Sequence, residues 1–229
     1  MRGIDANGTV NLTADDDITA GSVGGANNGN TADIVATGNI VLNATNGDIT
    51  IGGDNNAAYS AVTSTTGTVS MTAGSDININ SNYATGTVIQ AANTGLSLPN
   101  YAVSLNAGND INFAALNTSI DAGSAPIHLV ANGLITDNNT HIDIVGGDLV
   151  AEAGVGIGNG DKIETKVSRL AAWVTTGNGN IEFENTGDLI LDDLVGWGYA
   201  VSNAGTGDIN ITVNSNLTVD DPVNSNGGD

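Results

Sequence analysis

The sequence predicts an all-β solenoid, a parallel β-helix of about seven to eight coils with three short strands each, and three observations predict it. A short phrase recurs: Gly, then Asn, Asp or Thr, then alternating aliphatics. Copies are Gly38-Asn39-Ile40-Val41-Leu42, Gly47-Asp48-Ile49-Thr50-Ile51, Gly67-Thr68-Val69-Ser70-Met71, Asn109-Asp110-Ile111-Asn112-Phe113 and Gly207-Asp208-Ile209-Asn210-Ile211. Each copy reads as a tight polar turn followed by a strand with one apolar face. The first copies return about every 30 residues, with similar surroundings at Val10, Ile40 and Val69. The hydrophobic residues, 40% of the chain, are mainly Ile, Val, Leu and Ala, with aromatics at only 3%. That palette suits a narrow, regular interior. An antiparallel β-sandwich also has many short strands, but it normally adds large aromatic core residues and lacks such similarity between repeats.

Strand centres follow from the alternation. They fall near Val10, Ile18 and Ile34, then Ile40, Ile49 and Val62, then Val69, Ile77 and Val88. The series continues at Val103, Ile111 and Ile120, then Ile127, Ile135 and Ile142, then Leu149, Ile157 and Val167. Ile181, Leu189, Val201, Ile209 and Leu217 complete it. Centres eight or nine residues apart are short strands separated by turns. Three strands per period of about 30 residues make one coil, stacked at ~4.8 Å on the next, so the rod is about 35–40 Å long. Ile40 and Leu42 are expected to point inward, Val41 and Asn43 outward.

Gly24 to Asn30, Gly52 to Asn56 and Leu96 to Tyr101 read as loops leaving the coil corners. Only Thr165 to Val174 carries good helix formers, and its β-branched residues suit a strand as well. Residues 1–219 are expected to form a single β-helix domain, with 220–229 a polar tail or linker.

Charge narrows the partners. The chain has 25 acidic and 4 basic residues, a formal net charge of −21. Such a surface repels nucleic acid and anionic membranes, and no run reaches the ~18 apolar residues of a membrane span. Without cysteine there is neither a disulfide framework nor a thiolate metal site. No basic-then-apolar leader follows Met1, so the chain is expected to be a piece of something longer.

Residues 154 to 191 carry a second pattern. Gly156-Ile157-Gly158 leads to Ile163-Glu164-Thr165, Val167 and Leu170-Ala171-Ala172; Gly179-Asn180-Ile181 and Gly187-Asp188-Leu189 follow. This succession resembles a segment of large repetitive adhesins of the filamentous haemagglutinin type, which are secreted bacterial proteins. The resemblance covers about 40 residues, with the generic G-D-I repeats extending it. It implies a right-handed β-helix, export through an outer-membrane secretion partner of the parent protein, and a place outside the cell or on its surface. The N-P-N-G-I-type turn of that family's secretion domain is absent, so an interior stretch is expected. The implied function is a structural or adhesive segment: a stiff rod that presents or constitutes a surface for a glycan or protein receptor. The alternatives are a carbohydrate-active β-helix enzyme and a plain spacer.

Few residues point to chemistry. Trp173, Trp197 and Tyr199 are candidate ligand contacts, since flat rings suit sugar faces, although such residues also cap solenoids or cover insertions. Further affinity is expected in loops 21–30, 52–60 and 92–101. Lys162, Lys166 and Arg169 cluster beside Glu164, either as a docking patch or, more simply, as local charge balance. Glycoside hydrolysis needs two facing carboxylates, and the acids of Asp15-Asp16-Asp17, Asp192-Asp193 and Asp220-Asp221 point to alternate strand faces. His128 and His141 lack a nucleophile pattern. No cofactor is expected. Ca²⁺ is a weak candidate: Gly74-Ser75-Asp76-Ile77 and Gly108-Asn109-Asp110-Ile111 are fragments of a calcium nonapeptide, but neither its G-G-x-G-x-D tandem nor an EF-hand loop occurs.

Overall fold

The computed structural model describes residues 3–21, 34–53, 61–81, 87–91, 93, 95–115, 118–158 and 160–228. Among them every regular element is a β-strand. Among the described residues no helix is long and apolar enough to cross a membrane.

The first coil is β1 (Ile4–Ala6), β2 (Val10–Ala14) and β3 (Ile18–Gly21). The second is β4 (Ile34–Ala36), β5 (Ile40–Ala44) and β6 (Ile49–Gly53), and the third β7 (Val62–Ser64), β8 (Val69–Ala73) and β9 (Ile77–Ser81). The fourth holds β10 (Thr87–Ala91), β11 (Val103–Ala107) and β12 (Ile111–Ala115); the fifth, β13 (Thr118–Asp121), β14 (Ile127–Ala131) and β15 (Leu134–Asp137). Then come β16 (Ile144–Val145), β17 (Asp148–Ala153) and β18 (Gly156–Gly158), followed by β19 (Ile163–Lys166), β20 (Arg169–Val174) and β21 (Ile181–Asn185). The last turns are β22 (Leu189–Leu191), β23 (Val201–Asn203), β24 (Ile209–Val213), β25 (Leu217–Val219) and β26 (Val223–Ser225).

Every strand pairs in parallel with its counterpart one coil away, which makes the molecule a parallel β-helix. The central ladder follows β2-β5-β8-β11-β14-β17-β20-β22-β25, nine rungs against the seven to eight coils expected. The excess arises because coils shorten: the 34 residues from Val69 to Val103 fall to 24 from Val103 to Ile127 and 21 from Leu149 to Leu170.

In-register stacking places like on like. One inward column is Ile18, Ile49, Ile77, Ile111, Ile135, Ile157, Ile181 and Ile209. Ala14, Ala44, Ala73, Ala107, Ala131 and Ala153 form another, which Val174 and Asn203 continue. Ile40 and Leu42 are fully buried, and Val41 and Asn43 less so, as the alternation predicts. Each buried aliphatic contributes about 1.5–3 kcal/mol of transfer free energy.

The recurrent aspartate has a structural role. Asp48 N–H donates to Asp17 Oδ1 (2.9 Å), Asp76 N–H to Asp48 Oδ1 (3.0 Å) and Asp110 N–H to Asp76 Oδ1 (3.0 Å). A corner amide that would lack a ladder partner thereby bonds to the side chain one coil below. Glycine at the corners is required by crowding: a Cβ on Gly108 would fall on the Gly74 carbonyl, and one on Gly154 on that of Asn132.

Of the two readings open to Thr165–Val174 the strand holds, in β19 and β20 with a break at 167–168. Other elements differ from expectation. The strand expected at Ile142 begins at Ile144, after a corner in which buried Asn139 bonds Asp137 and Asp143. Val167 lies just past β19, its N–H held by Asn185 Oδ1 at 3.0 Å. Beyond 219, β26 pairs with β23 on a branch of the same sheet that leaves the central ladder at β20.

Candidate functional site

Two corners of the coil break the apolar regularity. One is on the outer face of the central ladder. Val150, Ala171 and Trp173 occupy outward positions on β17 and β20, yet they are buried, at 0%, 0% and 2% exposure. Leu98 and Tyr101 from one excursion and Leu194 from another pack over them as a second, smaller core. The latter excursion, 192–200, exists because β20 is overlaid by two separate strands. Arg169 and Leu170 pair with β22, and Ala172 to Val174 pair with β23.

Asp193 shapes that loop. Its carboxylate accepts N–H groups from Gly196 (2.9 Å), Trp197 (2.8 Å) and Gly198 (2.6 Å), while its own N–H donates to Asp221 Oδ2 (2.9 Å). Burial alone would raise its pKa, but those donors outweigh it and hold the carboxyl below its ordinary range. Gly196 and Gly198 supply φ of 83° and 85°, which side-chain-bearing residues adopt only at a cost.

The three predicted contact residues come together here. Trp173 is an interior support; its Nε1–H donates to the Tyr199 carbonyl at 3.3 Å. Trp197 stacks on it, with centroids 4.5 Å apart and an interplanar angle of 27°, and remains 50% exposed. Tyr199 is 41% exposed. A groove of about 200 Å³ runs between these rings and Val174, Thr175, Ser202 and Ala204. Farther down the same face, Tyr101 stacks on His128 (4.6 Å), whose Nε2 lies 3.3 Å from Glu152 Oε1. Burial, then the charge of Glu152, raises the Tyr101 pKa. His141 is exposed in a corner.

The expected loop sites fare unevenly. Residues 22–30 and 54–60 lie outside the described residues, whereas 95–101 supply the Leu98 and Tyr101 cover. Of the basic cluster, Arg169 bridges Asp148 (2.8 and 2.7 Å) and Asp192 (2.8 Å) on neighbouring rungs. Lys162 meets Glu184 at 3.6 Å. That is charge balance between coils.

The second corner was not expected from the sequence. Asp137 ends β15, Asp143 precedes β16 and Glu164 lies on β19, and one carboxyl oxygen from each falls within 4.8 Å of the others. Asp137 occupies the inward column that Ala20, Ile51, Ile79 and Phe113 fill below it. Burial, then the charge of Asp143, pushes Asp137 up to about 7. Burial also raises Asp143 to about 7, offset in part by the Asn139 hydrogen bond. Glu164 is raised to about 8 by burial, then by its bond to Asp137 and the charges of Asp137 and Asp161. A carboxylate replacing an isoleucine in an inward column is the sequence signal that marks this corner, legible once the register is known.

No protein-family model, curated protein or solved structure matches this chain.

Proposed function

We propose that this chain is a stiff segment of a large secreted bacterial surface protein, of the adhesive kind, and that its 192–200 loop is the surface it presents. The observation that carries this reading is the exposed Trp197–Tyr199 pair on a loop pinned by Asp193 and backed by buried Trp173. A spacer has no use for half-exposed rings held in one orientation. Ring faces of this kind bind sugars by stacking their C–H faces, and the adjoining Thr175 and Ser202 offer hydroxyls to the groove. An uncharged glycan suits the site best, because Asp192, Asp193, Asp220 and Asp221 make the neighbourhood acidic.

The test is a glycan array probed with the 229-residue chain and with Trp197→Ala. Binding to a defined set of neutral glycans is expected, with at least a tenfold loss in the variant, the size of one stacking contact of about 1.4 kcal/mol. An array that stays blank for the parent chain would leave the spacer reading in place.

A further inference from the structure

We propose that Asp137, Asp143 and Glu164 bind a divalent cation of the calcium type, which ties three successive coils together. Asp143 is fully buried and Asp137 is 6% exposed. Each leaves one buried oxygen without a hydrogen-bond partner, Oδ2 in both cases, and Glu164 Oε2 is a third. In the two aspartates the other oxygen is committed. Asp137 Oδ1 accepts from Asn138 N–H and Asn139 Nδ2, both at 2.6 Å. Asp143 Oδ1 accepts from Asn139 Nδ2 at 3.2 Å and Ser119 Oγ at 3.4 Å. These donors fix how the two aspartate carboxyl groups are turned, and one oxygen from each of the three carboxyls lies within 4.8 Å of the others.

Carboxyl groups this close, with one oxygen of each left without an N–H or hydroxyl donor, share protons when neutral and need a positive partner when ionised. No lysine or arginine among the described residues is shown bonding to them; of the two lysines that flank Glu164, Lys162 is engaged by Glu184 and Thr212, and Lys166 is exposed. The spacing fits a single shared ion. Oxygens on one calcium ion, at bonds of about 2.3–2.6 Å, lie at most about 5 Å apart, which accommodates the 4.8 Å limit seen here. The donor set is oxygen only, which disfavours zinc and copper. Calcium's flexible shell takes the remaining positions from water or backbone carbonyls, whereas magnesium demands a tighter octahedron. The ligands come from the end of the fifth coil, the start of the sixth and the start of the seventh. An ion there would staple the helix along its axis, where the coils shorten.

Calorimetric titration of the chelator-treated chain with CaCl₂ at pH 7.5, paired with thermal melting, tests this. One equivalent is expected to bind with Kd near ~10⁻⁴ M, and 10 mM CaCl₂ to raise Tm by about 5 °C. Asp143→Asn and Glu164→Gln should each lose at least tenfold in affinity and the rise in Tm, with the β-sheet circular dichroism retained. Asp76→Asn, in the aspartate column of another corner, should keep both. Should Asp143→Asn not fold, Glu164→Gln, at the least buried of the three positions, decides alone. Absence of saturable heat, unchanged binding in the cluster variants, or an equal loss in Asp76→Asn would overturn the proposal. An equal response to MgCl₂ would overturn its calcium character.

Discussion

Replacing Phe113 by Ala is expected to lower the unfolding free energy by about 3–5 kcal/mol. Phe113 is 1% exposed and is among the largest side chains in the interior. It sits between Ile79 below and Asp137 above, so the void would open beneath a buried carboxyl. In a solenoid each coil touches only its neighbours, and the cavity cannot close by movement of a distant element. For a chain of this size such a loss corresponds to a fall in Tm on the order of 10 °C. Urea unfolding of the variant measures it. Asn106→Ala, on the outward face of the neighbouring strand, should stay within about 0.5 kcal/mol of the parent.

In chelator, stability should fall as pH rises from 5 to 8, by a few kcal/mol in all. Asp137, Asp143 and Glu164 titrate near 7, 7 and 8 in the folded chain, against ordinary values close to 4 when unfolded. Between those limits the folded state holds more protons than the unfolded one, so each upward step in pH favours unfolding. The contribution is complete below about pH 4 and is gone once pH passes the folded values. Asp161 adds its charge to Glu164, and the His141 N–H bonds Asn139, the donor to both aspartates.

Asp188 and Asp193 act in the opposite sense. Asp188 is held low by Ser215 and Asn216, and Asp193 by its loop amides against the effect of burial. Their contributions are lost only as pH drops below the ordinary carboxylate range, outside the window in which the buried trio acts. Urea midpoints measured across that window check the slope, and Asp143→Asn should flatten it. A stability that rises from pH 5 to 8 would contradict the arrangement of the three carboxyls.

The rod was legible because its physics is periodic. Ile18 to Ile209 repeat in one column, and the Gly-Asp corners mark where each strand starts, so the alternation alone gives strands and coil length. Counting coils was harder, since their shortening after Val103 shows only when register is known. The aromatic site was half legible. Trp197 and Tyr199 are close in sequence, and Trp173 lies one coil below. Its burial, however, depends on a loop packing over outward positions, which strand alternation assigns to solvent.

The carboxyl corner was invisible for a different reason. Asp137, Asp143 and Glu164 are separated by 6 and 21 residues and share no motif. They meet only because coils of unequal length bring β15, β16 and β19 to one edge.

The central claim is that consecutive coils lie in parallel and in register. The chain lacks cysteine, so pairs can be introduced cleanly at Thr13 with Val130, Glu152 or Ser202, all in one outward row of the central ladder. Pulsed electron-electron resonance between spin labels at these pairs should give separations near ~19, ~24 and ~34 Å, rising by about 4.8 Å per rung. Separations that fail to lengthen with rung number, as in hairpins folded face to face, would contradict the β-helix and everything built on it.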